Sequence, residues 1–159
     1  MAALKIRKMV EPDIDEVMSI ERDLFSMPWS RASFLFEVSD NRHSYAVVGL
    51  RNGTLIGYAM AWFLSNEIHI GNIAVARSEQ GAGAGKQLLE HLLGEACQRQ
   101  VGIATLEVRV SNARAIGLYR RYGFKGIALR RSYYSDNDED ALVMLAEIGP
   151  QGPQEPASW

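Results

Sequence analysis

Asn72-Ile73-Ala74-Val75, then Gln80-Gly81-Ala82-Gly83-Ala84-Gly85-Lys86, then a stripe of Leu88, Leu89, Leu92, Leu93 and Ala96: these three consecutive pieces decide the fold. The first closes a segment, Glu67–Val75, in which Ile68, Ile70 and Ile73 recur among polar residues as in a strand. The third has the spacing of an amphipathic helix running to about Arg99. Between them, glycines let the backbone reach positive φ and approach a ligand closely. The first N–H groups of the following helix have no partner inside it. Together with the helix dipole they make a site suited to phosphate oxygens. Two other phosphate-binding patterns fail here. A Walker A loop needs glycine where Gln80 stands and Ser or Thr where Gln87 stands, and a dinucleotide fingerprint needs G-x-G-x-x-G rather than G-x-G-x-G.

On the N-terminal side, Leu4–Val10 alternates and predicts a strand. Pro12 and its acidic neighbours suit the first turn of a helix to about Leu24. Ser30 is a candidate N-cap for a short helix to about Val38. Ser44–Leu50 and Thr54–Phe63 flank Arg51-Asn52-Gly53 as a hairpin. On the C-terminal side, Ile103–Val110 reads as a buried strand, parallel to its neighbour. Ser111 or Asn112 caps a helix ending near Tyr122, where Gly123 takes the left-handed position. Phe124–Tyr134 and Ala141–Ile148 are two last strands around the acidic turn Ser135–Asp140. The order β-α-α-β-β-β-α-β-α-β-β predicts an α/β fold with a mixed central β-sheet, antiparallel first and parallel in the middle, flanked by helices on both faces. The irregular order excludes a Rossmann domain. Residues 1–148 form one domain, and Gly149–Trp159, with Pro150, Pro153 and Pro156, reads as a flexible tail.

A length of 159 residues with 47% hydrophobic residues suits a single globular core. The net charge of −2 offers no basic field for nucleic acid. No run approaches the roughly 18 apolar residues of a membrane span, and the N-terminus lacks the apolar core of a signal peptide. With Cys97 the single cysteine, no internal disulfide is possible, and the expected location is cytoplasmic. Cys97 itself reads as a small buried hydrophobe. His43, His69 and His91 are dispersed without metal-ligand spacing, so no metal is expected.

Glu107 is the unusual residue of the second half. A carboxylate inside an otherwise apolar strand is either functional or neutralised, with Arg109 the nearby candidate partner. It opens the block Leu106-Glu107-Val108-Arg109-Val110-Ser111-Asn112-Ala113-Arg114-Ala115-Ile116-Gly117-Leu118-Tyr119-Arg120-Arg121-Tyr122-Gly123-Phe124.

Gln80-Gly81-Ala82-Gly83-Ala84-Gly85 resembles the Q/R-x-x-G-x-G/A signature of the GCN5-related N-acetyltransferase (GNAT) superfamily, and Asn72–Val75 its central strand. The block from Leu106 to Phe124 resembles the bacterial ribosomal-protein-alanine N-acetyltransferases, the RimI branch. So do Phe25–Ser30, Arg130–Tyr134 and Glu139-Asp140-Ala141, and the likeness extends over nearly all of residues 4–148. One departure is the pair Gly81-Ala82, where family members usually carry an arginine.

The resemblance implies acetyl-CoA as co-substrate. It would be held by the backbones of Ile73, Ala74, Val75, Gly81, Ala82, Gly83, Ala84, Gly85 and Lys86, with Asn112 near the thioester and Lys86 replacing the missing arginine. It implies Glu107 as general base and Tyr119 as general acid in a direct attack within a ternary complex. Tyr133 and Tyr134 would line the site for a substrate N-terminus, with Trp29 on the opposite wall and Glu67 as a second candidate base, behind Glu107 or helping it through water. The family's usual substrate is the N-terminal alanine of ribosomal protein S18, a basic protein that Glu37, Asp40 and Asp136–Asp140 would complement. The chemistry agrees: an α-amine with pKa near 7.7–8.0 needs only modest help from a carboxylate, and a tyrosine can protonate a departing thiolate. Broader N-terminal specificity, small-molecule amine acetylation and a non-catalytic acyl-CoA-binding module are the alternatives.

Overall fold

The computed structural model describes residues 3–150. Most of the expected tail therefore lies outside the described residues. The strands are β1 (Lys5–Lys8), β2 (Ser44–Arg51), β3 (Thr54–Leu64), β4 (Glu67–Val75), β5 (Ile103–Arg109), β6 (Lys125–Tyr134) and β7 (Glu139–Glu147). The helices are α1 (Ile14–Leu24), α2 (Arg31–Ser39), α3 (Ala84–Gln98) and α4 (Ala113–Arg121). The element order is the one the sequence predicts. The sheet order is β1-β2-β3-β4-β5-β7-β6, so the last two strands stand in reverse of their chain order. Two compact units make up the chain: one joins residues up to Phe63 with Gly71–His91, the other joins Leu64–Ile70 with residues from Leu92 onward. Strand β4 belongs to both.

In the first unit β1, β2 and β3 are antiparallel, with Lys5 opposite Leu50 and Val48 opposite Tyr58. Asn52 and Gly53 both have positive φ, 53° and 79°, which is the two-residue hairpin turn that Asn-Gly favours. Strand β1 is shorter than the predicted Leu4–Val10 because the N–H of Val10 turns away to Asp13 Oδ2 at 2.9 Å. Pro12 sits in a single 3₁₀ turn, Glu11–Asp13, that leads into α1. Ser30 caps α2, its Oγ accepting from the N–H of Ser33 at 3.1 Å. Ile14, Val17, Phe34, Val48, Tyr58 and Met60 form the buried cluster over which α1 and α2 lie. Burying side chains of this size contributes about 1.5–3 kcal/mol each.

In the second unit the first half of β4 runs parallel to β5, Glu67 opposite Ile103 and Ile70 opposite Leu106. Strand β7 inserts antiparallel between β5 and β6, with Glu107 opposite Val143. Exposure along β5 alternates: Ala104, Leu106 and Val108 are buried, while Ile103, Thr105, Glu107 and Arg109 are half-buried. Asn112 is the N-cap of α4. At its other end Phe124 donates to the carbonyl of Tyr119 at 3.1 Å and Gly123 to that of Arg120 at 3.1 Å, with Gly123 at φ 88°. That pair of bonds is the Schellman closure, and only a residue tolerant of the left-handed region fits it cheaply. Cys97 departs from expectation. It is half-buried, and its thiol donates to the carbonyl oxygens of Gly149 at 3.6 Å and Pro150 at 3.4 Å. The thiol therefore meets backbone oxygen of the chain's last described residues instead of packing as a hydrophobe. Among the described residues no helix is long and apolar enough to cross a membrane.

Candidate active site

The glycine turn lies in the first unit. Gly81 and Gly83 adopt φ of 88° and 86°. A side chain at either would meet no neighbour but would sit in the left-handed region, which costs an L-residue roughly 1–2 kcal/mol. Gly85, expected in the same turn, is already helical, since α3 begins at Ala84 and the N–H of Gln87 reaches the carbonyl of Gly83 at 3.0 Å. Of the glycines, Gly81 and Gly83 shape the turn; Gly85 leaves room beside Val75, whose Cγ2 would lie 3.9 Å from an added Cβ. Gln80 ties the turn to the strand, its Nε2 donating to the carbonyl of Val75 at 3.0 Å. Ala74, Val75 and Ala84 are buried, whereas Ile73, Ala82 and Lys86 are half-buried. The parallel register of β4 with β5 covers Glu67–Ile70, and Ile73, Ala74 and Val75 follow after it ends.

Also in the first unit, Trp29 is half-buried against Phe34 and Trp62, at ring-centre distances of 5.4 and 6.1 Å. Its backbone is held by a residue the sequence did not single out. Glu21, buried on α1, accepts the Trp29 N–H at 3.0 Å, the Tyr58 hydroxyl, and Asn72 Nδ2 at 3.3 Å. Burial and the adjoining carboxylate drive the Tyr58 pKa upward, so Tyr58 remains a donor.

The second unit carries the titratable side chains. Glu107 does not pair with Arg109. Its Oε2 lies 3.2 Å from His69 Nε2, and its Oε1 accepts from the Tyr133 hydroxyl at 3.4 Å. His69 Nδ1 meets Thr105 Oγ1 at 2.8 Å, and Thr105 donates to Glu67 Oε2 at 2.5 Å. The register explains this grouping, because it sets His69 opposite Thr105 and so puts Glu67, His69, Thr105 and Glu107 on one face. Arg109, on the same face, is engaged by other partners. It reaches Asp136 at 2.9 Å, Asn137 at 3.1 Å and Glu139 at 3.3 Å, and stacks over Tyr134 at 3.9 Å from the ring centre. That contact fixes Tyr134, which meets Tyr133 edge-on at 5.0 Å.

The acidic residues also have partners within the chain. Asp136 and Glu139 are engaged by Arg109, Asp140 accepts from the Ser132 N–H at 2.9 Å, and Glu37 accepts from Trp62 Nε1 at 2.8 Å. Asn112 spends its Oδ1 on the N–H of Ala115 at 3.2 Å, so its Nδ2 donors are the part suited to a ligand. Tyr119 packs on Phe124 at 5.7 Å, and burial, with a smaller contribution from Tyr134, pushes its pKa up to about 12. Burial and Glu107 likewise raise the Tyr133 pKa. Both phenols therefore keep their protons at neutral pH.

Residues 14–124 match the family model described as the acetyltransferase (GNAT) family. The chain belongs to that family. A relative from Escherichia coli named [ribosomal protein bS18]-alanine N-acetyltransferase is 34% identical over 145 residues, covering 90% of this chain and 97% of the relative. Another, N-alpha-acetyltransferase RimI of Mycobacterium tuberculosis, is 36% identical over 151 residues, covering 91% and 92%. The crystal structure of the ribosomal-protein-S18-alanine N-acetyltransferase from Escherichia coli superimposes with a TM-score of 0.85 at 31% identity, over 99% of both chains. The resemblance read from the glycine segment and the Leu106–Phe124 block thus holds at the level of sequence and of fold. The sequence does not single out His69, Thr105 or Glu21 for the site. His69 and Thr105 had one available signal, a two-residue spacing from Glu67 and Glu107 on strands expected to be parallel.

Proposed function

We propose that this acetyltransferase transfers the acetyl group of acetyl-CoA to the α-amine of a protein N-terminus, with the N-terminal alanine of ribosomal protein bS18 as substrate. The observation that carries the proposal is the setting of Glu107. This carboxylate is mostly buried, is steadied by His69 on one oxygen, and on the other oxygen meets a tyrosine expected to line the peptide site. The names of the Escherichia coli relative and crystal structure support the choice of amine.

Bound acetyl-CoA supplies an activated acyl carbon and a thiolate leaving group. The glycine turn fits its pyrophosphate. Gly81 and Gly83 expose backbone at the start of α3, and the carboxylate of Glu79 just before the turn is offset by Arg51 at 2.7 Å. In the first unit the backbone of Ile73–Val75 would extend the grip; in the second, Asn112 Nδ2 is a further donor proposed for the cofactor. Glu107 takes the proton that the α-ammonium must lose before it attacks. In the second unit Tyr133 and Tyr134, the latter fixed by Arg109, orient the incoming chain end. In the first, Trp29, held by Glu21, is an aromatic surface proposed for the peptide. Tyr119 holds a proton for the departing sulfur. With its pKa near 12 against about 8.5 for an ordinary thiol, full transfer to a finished thiolate runs uphill by a few kcal/mol, at ~1.4 kcal/mol per tenfold. Tyr119 therefore works best as a strong hydrogen-bond donor while the C–S bond is breaking.

The test is a peptide panel with acetyl-CoA, read by mass spectrometry. Peptides beginning with the bS18 alanine sequence, with Ser, Met or Gly, and one with a blocked N-terminus and a free lysine are compared. Acetylation of the alanine peptide at its α-amine is the expected result. Transfer across the panel shows broader N-terminal specificity, and cofactor binding without any transfer refutes the enzyme.

A further inference from the structure

A line of polar contacts lies behind Glu107, and the proposed reaction leaves it unused. From Glu67 Oε2 it runs to Thr105 Oγ1 at 2.5 Å, on to His69 Nδ1 at 2.8 Å, and from His69 Nε2 to Glu107 Oε2 at 3.2 Å. The two ring nitrogens sit on opposite edges of the imidazole, so these atoms form a relay and not a shell around one point. Among the described residues no group of three or more His, Cys, Asp or Glu is placed to hold a metal ion. The ends differ in access: the Glu67 side chain is 44% exposed, that of His69 31%, and that of Glu107 12%.

Proton counting gives the relay its meaning. Three contacts need three protons. Thr105 has one, and a neutral imidazole has one. With both carboxylates ionised, one contact is left with two lone pairs facing each other. A single added proton fills it in any of three ways: as an imidazolium between Glu107 and Thr105, as a carboxylic acid on Glu107 donating to Nε2 while Nδ1–H donates to Thr105, or as a carboxylic acid on Glu67 donating to Thr105 while Thr105 donates to Nδ1 and Nε2–H to Glu107. The step assigned to Glu107 delivers one proton.

We infer that Glu67, Thr105, His69 and Glu107 act as one proton-accepting unit, in which His69 shares the proton that Glu107 removes from the substrate ammonium. The inference rests on Glu107 being the base. In the step, one N–H bond of the ammonium breaks with its electron pair left on nitrogen. One O–H or N–H bond forms within the unit, which loses one negative charge. After the amide forms, the proton leaves to water from Glu67, the most exposed member. The imidazole is faced by Glu67 and Thr105 on one edge and by Glu107 on the other, with the Tyr133 hydroxyl on the far oxygen of Glu107. His69 does not touch the substrate; it is a positioning residue that acts through Glu107.

The decisive variant is His69→Gln. Glutamine keeps a donor toward Glu107 and an acceptor toward Thr105 but cannot take up a proton. We expect kcat to fall roughly 10-fold, a fraction of the ~10²–10⁴ carried by a general base, with KM for peptide and acetyl-CoA within about twofold. Thr105→Val should lower kcat similarly, and Thr105→Ser should restore it. A measurement on the intact relay accompanies these: long-range ¹H–¹⁵N spectra of the imidazoles in the parent and in Glu107→Gln. The ring-nitrogen pattern of His69 should change, and those of His43 and His91 should not. Parental kcat in both His69→Gln and Thr105→Val, alongside an inactive Glu107→Gln, overturns the inference and leaves Glu107 as a lone base. An unchanged His69 spectrum in Glu107→Gln also overturns it. Parental turnover in Glu107→Gln overturns the base itself, and the shared unit with it.

Discussion

Glu21 on α1 and Glu107 on β5 are both carboxylates withdrawn from solvent, Glu21 with 2% of its surface exposed and Glu107 with 12% of its side chain exposed. Their partners differ. Glu21 receives a backbone N–H, a phenol and an amide, all donors that keep their protons near neutral pH. Glu107 faces an imidazole and a half-exposed phenol, and the imidazole is the side chain that gains or loses a proton most readily near neutral pH. Burial alone therefore does not distinguish the two carboxylates; their partners do. The first glutamate fastens a loop, and the second, the base proposed above, faces a side chain that can exchange a proton.

Removing each carboxylate tests that contrast, and the largest effect belongs to Glu107. Glu107→Gln preserves shape and should lower kcat by about 10²–10⁴-fold while the melting temperature moves little. Steady-state kinetics beside a thermal melt measure both. The opposite signature is expected of Glu21→Ala. It leaves the Trp29 N–H and the Tyr58 hydroxyl buried without their acceptor, at a cost of about 2–4 kcal/mol, or roughly 5–15 °C in melting temperature. Among molecules still folded, kcat should stay close to the parent, and KM for the peptide should rise as Trp29 loosens. A collapse of kcat in Glu21→Ala with an unshifted melt would erase the distinction.

The same pair shows what the sequence makes legible. Glu107 stood out because its neighbours on the strand, Leu106 and Val108, are apolar, and a charge breaks that local pattern. Glu21 lies between Ile20 and Arg22 on an amphipathic helix, where a glutamate is ordinary. Only the packing of Tyr58 and Asn72 onto α1 reveals it. Local chemistry was likewise readable elsewhere: the Asn52-Gly53 turn, the Ser30 cap, the Gly123 closure and the glycine turn each depend on residues adjacent in the chain. Features that depend on register were not. The insertion of β7 between β5 and β6 has no local signal, and neither does the alignment that sets His69 opposite Thr105. The ion pairs of the acidic turn are silent for the same reason, since Arg109 is distant in sequence from the Asp136 and Glu139 it binds.

A substitution that touches neither glutamate separates binding from proton transfer. Gly83→Val forces a β-branched residue into a φ of 86° at the start of α3, and the turn must reshape at a cost of about 1–2 kcal/mol or more. The dissociation constant of acetyl-CoA, measured by calorimetry, should rise about 10-fold, with a smaller change in kcat at saturating cofactor. Unchanged affinity would move the phosphate grip away from this turn.

Asp13 supplies a third carboxylate, graded between the other two, and the smallest expected effect. It accepts two hydrogen bonds from Arg7, at 2.8 and 2.9 Å, and one from the Val10 N–H at 2.9 Å. The Arg7 hydrogen bond is the main cause that holds its pKa below the ordinary aspartate value, burial opposing and the Val10 N–H assisting. Its folded pKa is lower than its unfolded one, so the unfolded chain takes up the proton first as pH falls. The stabilisation is then complete above the unfolded value, near 3.9, and is lost as pH drops through the folded value. Arg7 is partly solvated, which screens the pair and limits the contribution to about 1 kcal/mol. Asp13→Asn should therefore lower stability by about that amount at pH 7, with the gap between variant and parent closing below pH ~4. Urea unfolding at both pH values checks it. Because Asp13 is held by a guanidinium that never deprotonates in this range, its effect should appear in stability alone, with kcat at pH 7 unmoved as for Glu21. A change in the pH–rate profile of Asp13→Asn would mean that a fixed ion pair also reports on turnover, and the partner-based distinction between fastening and reactive carboxylates would fail.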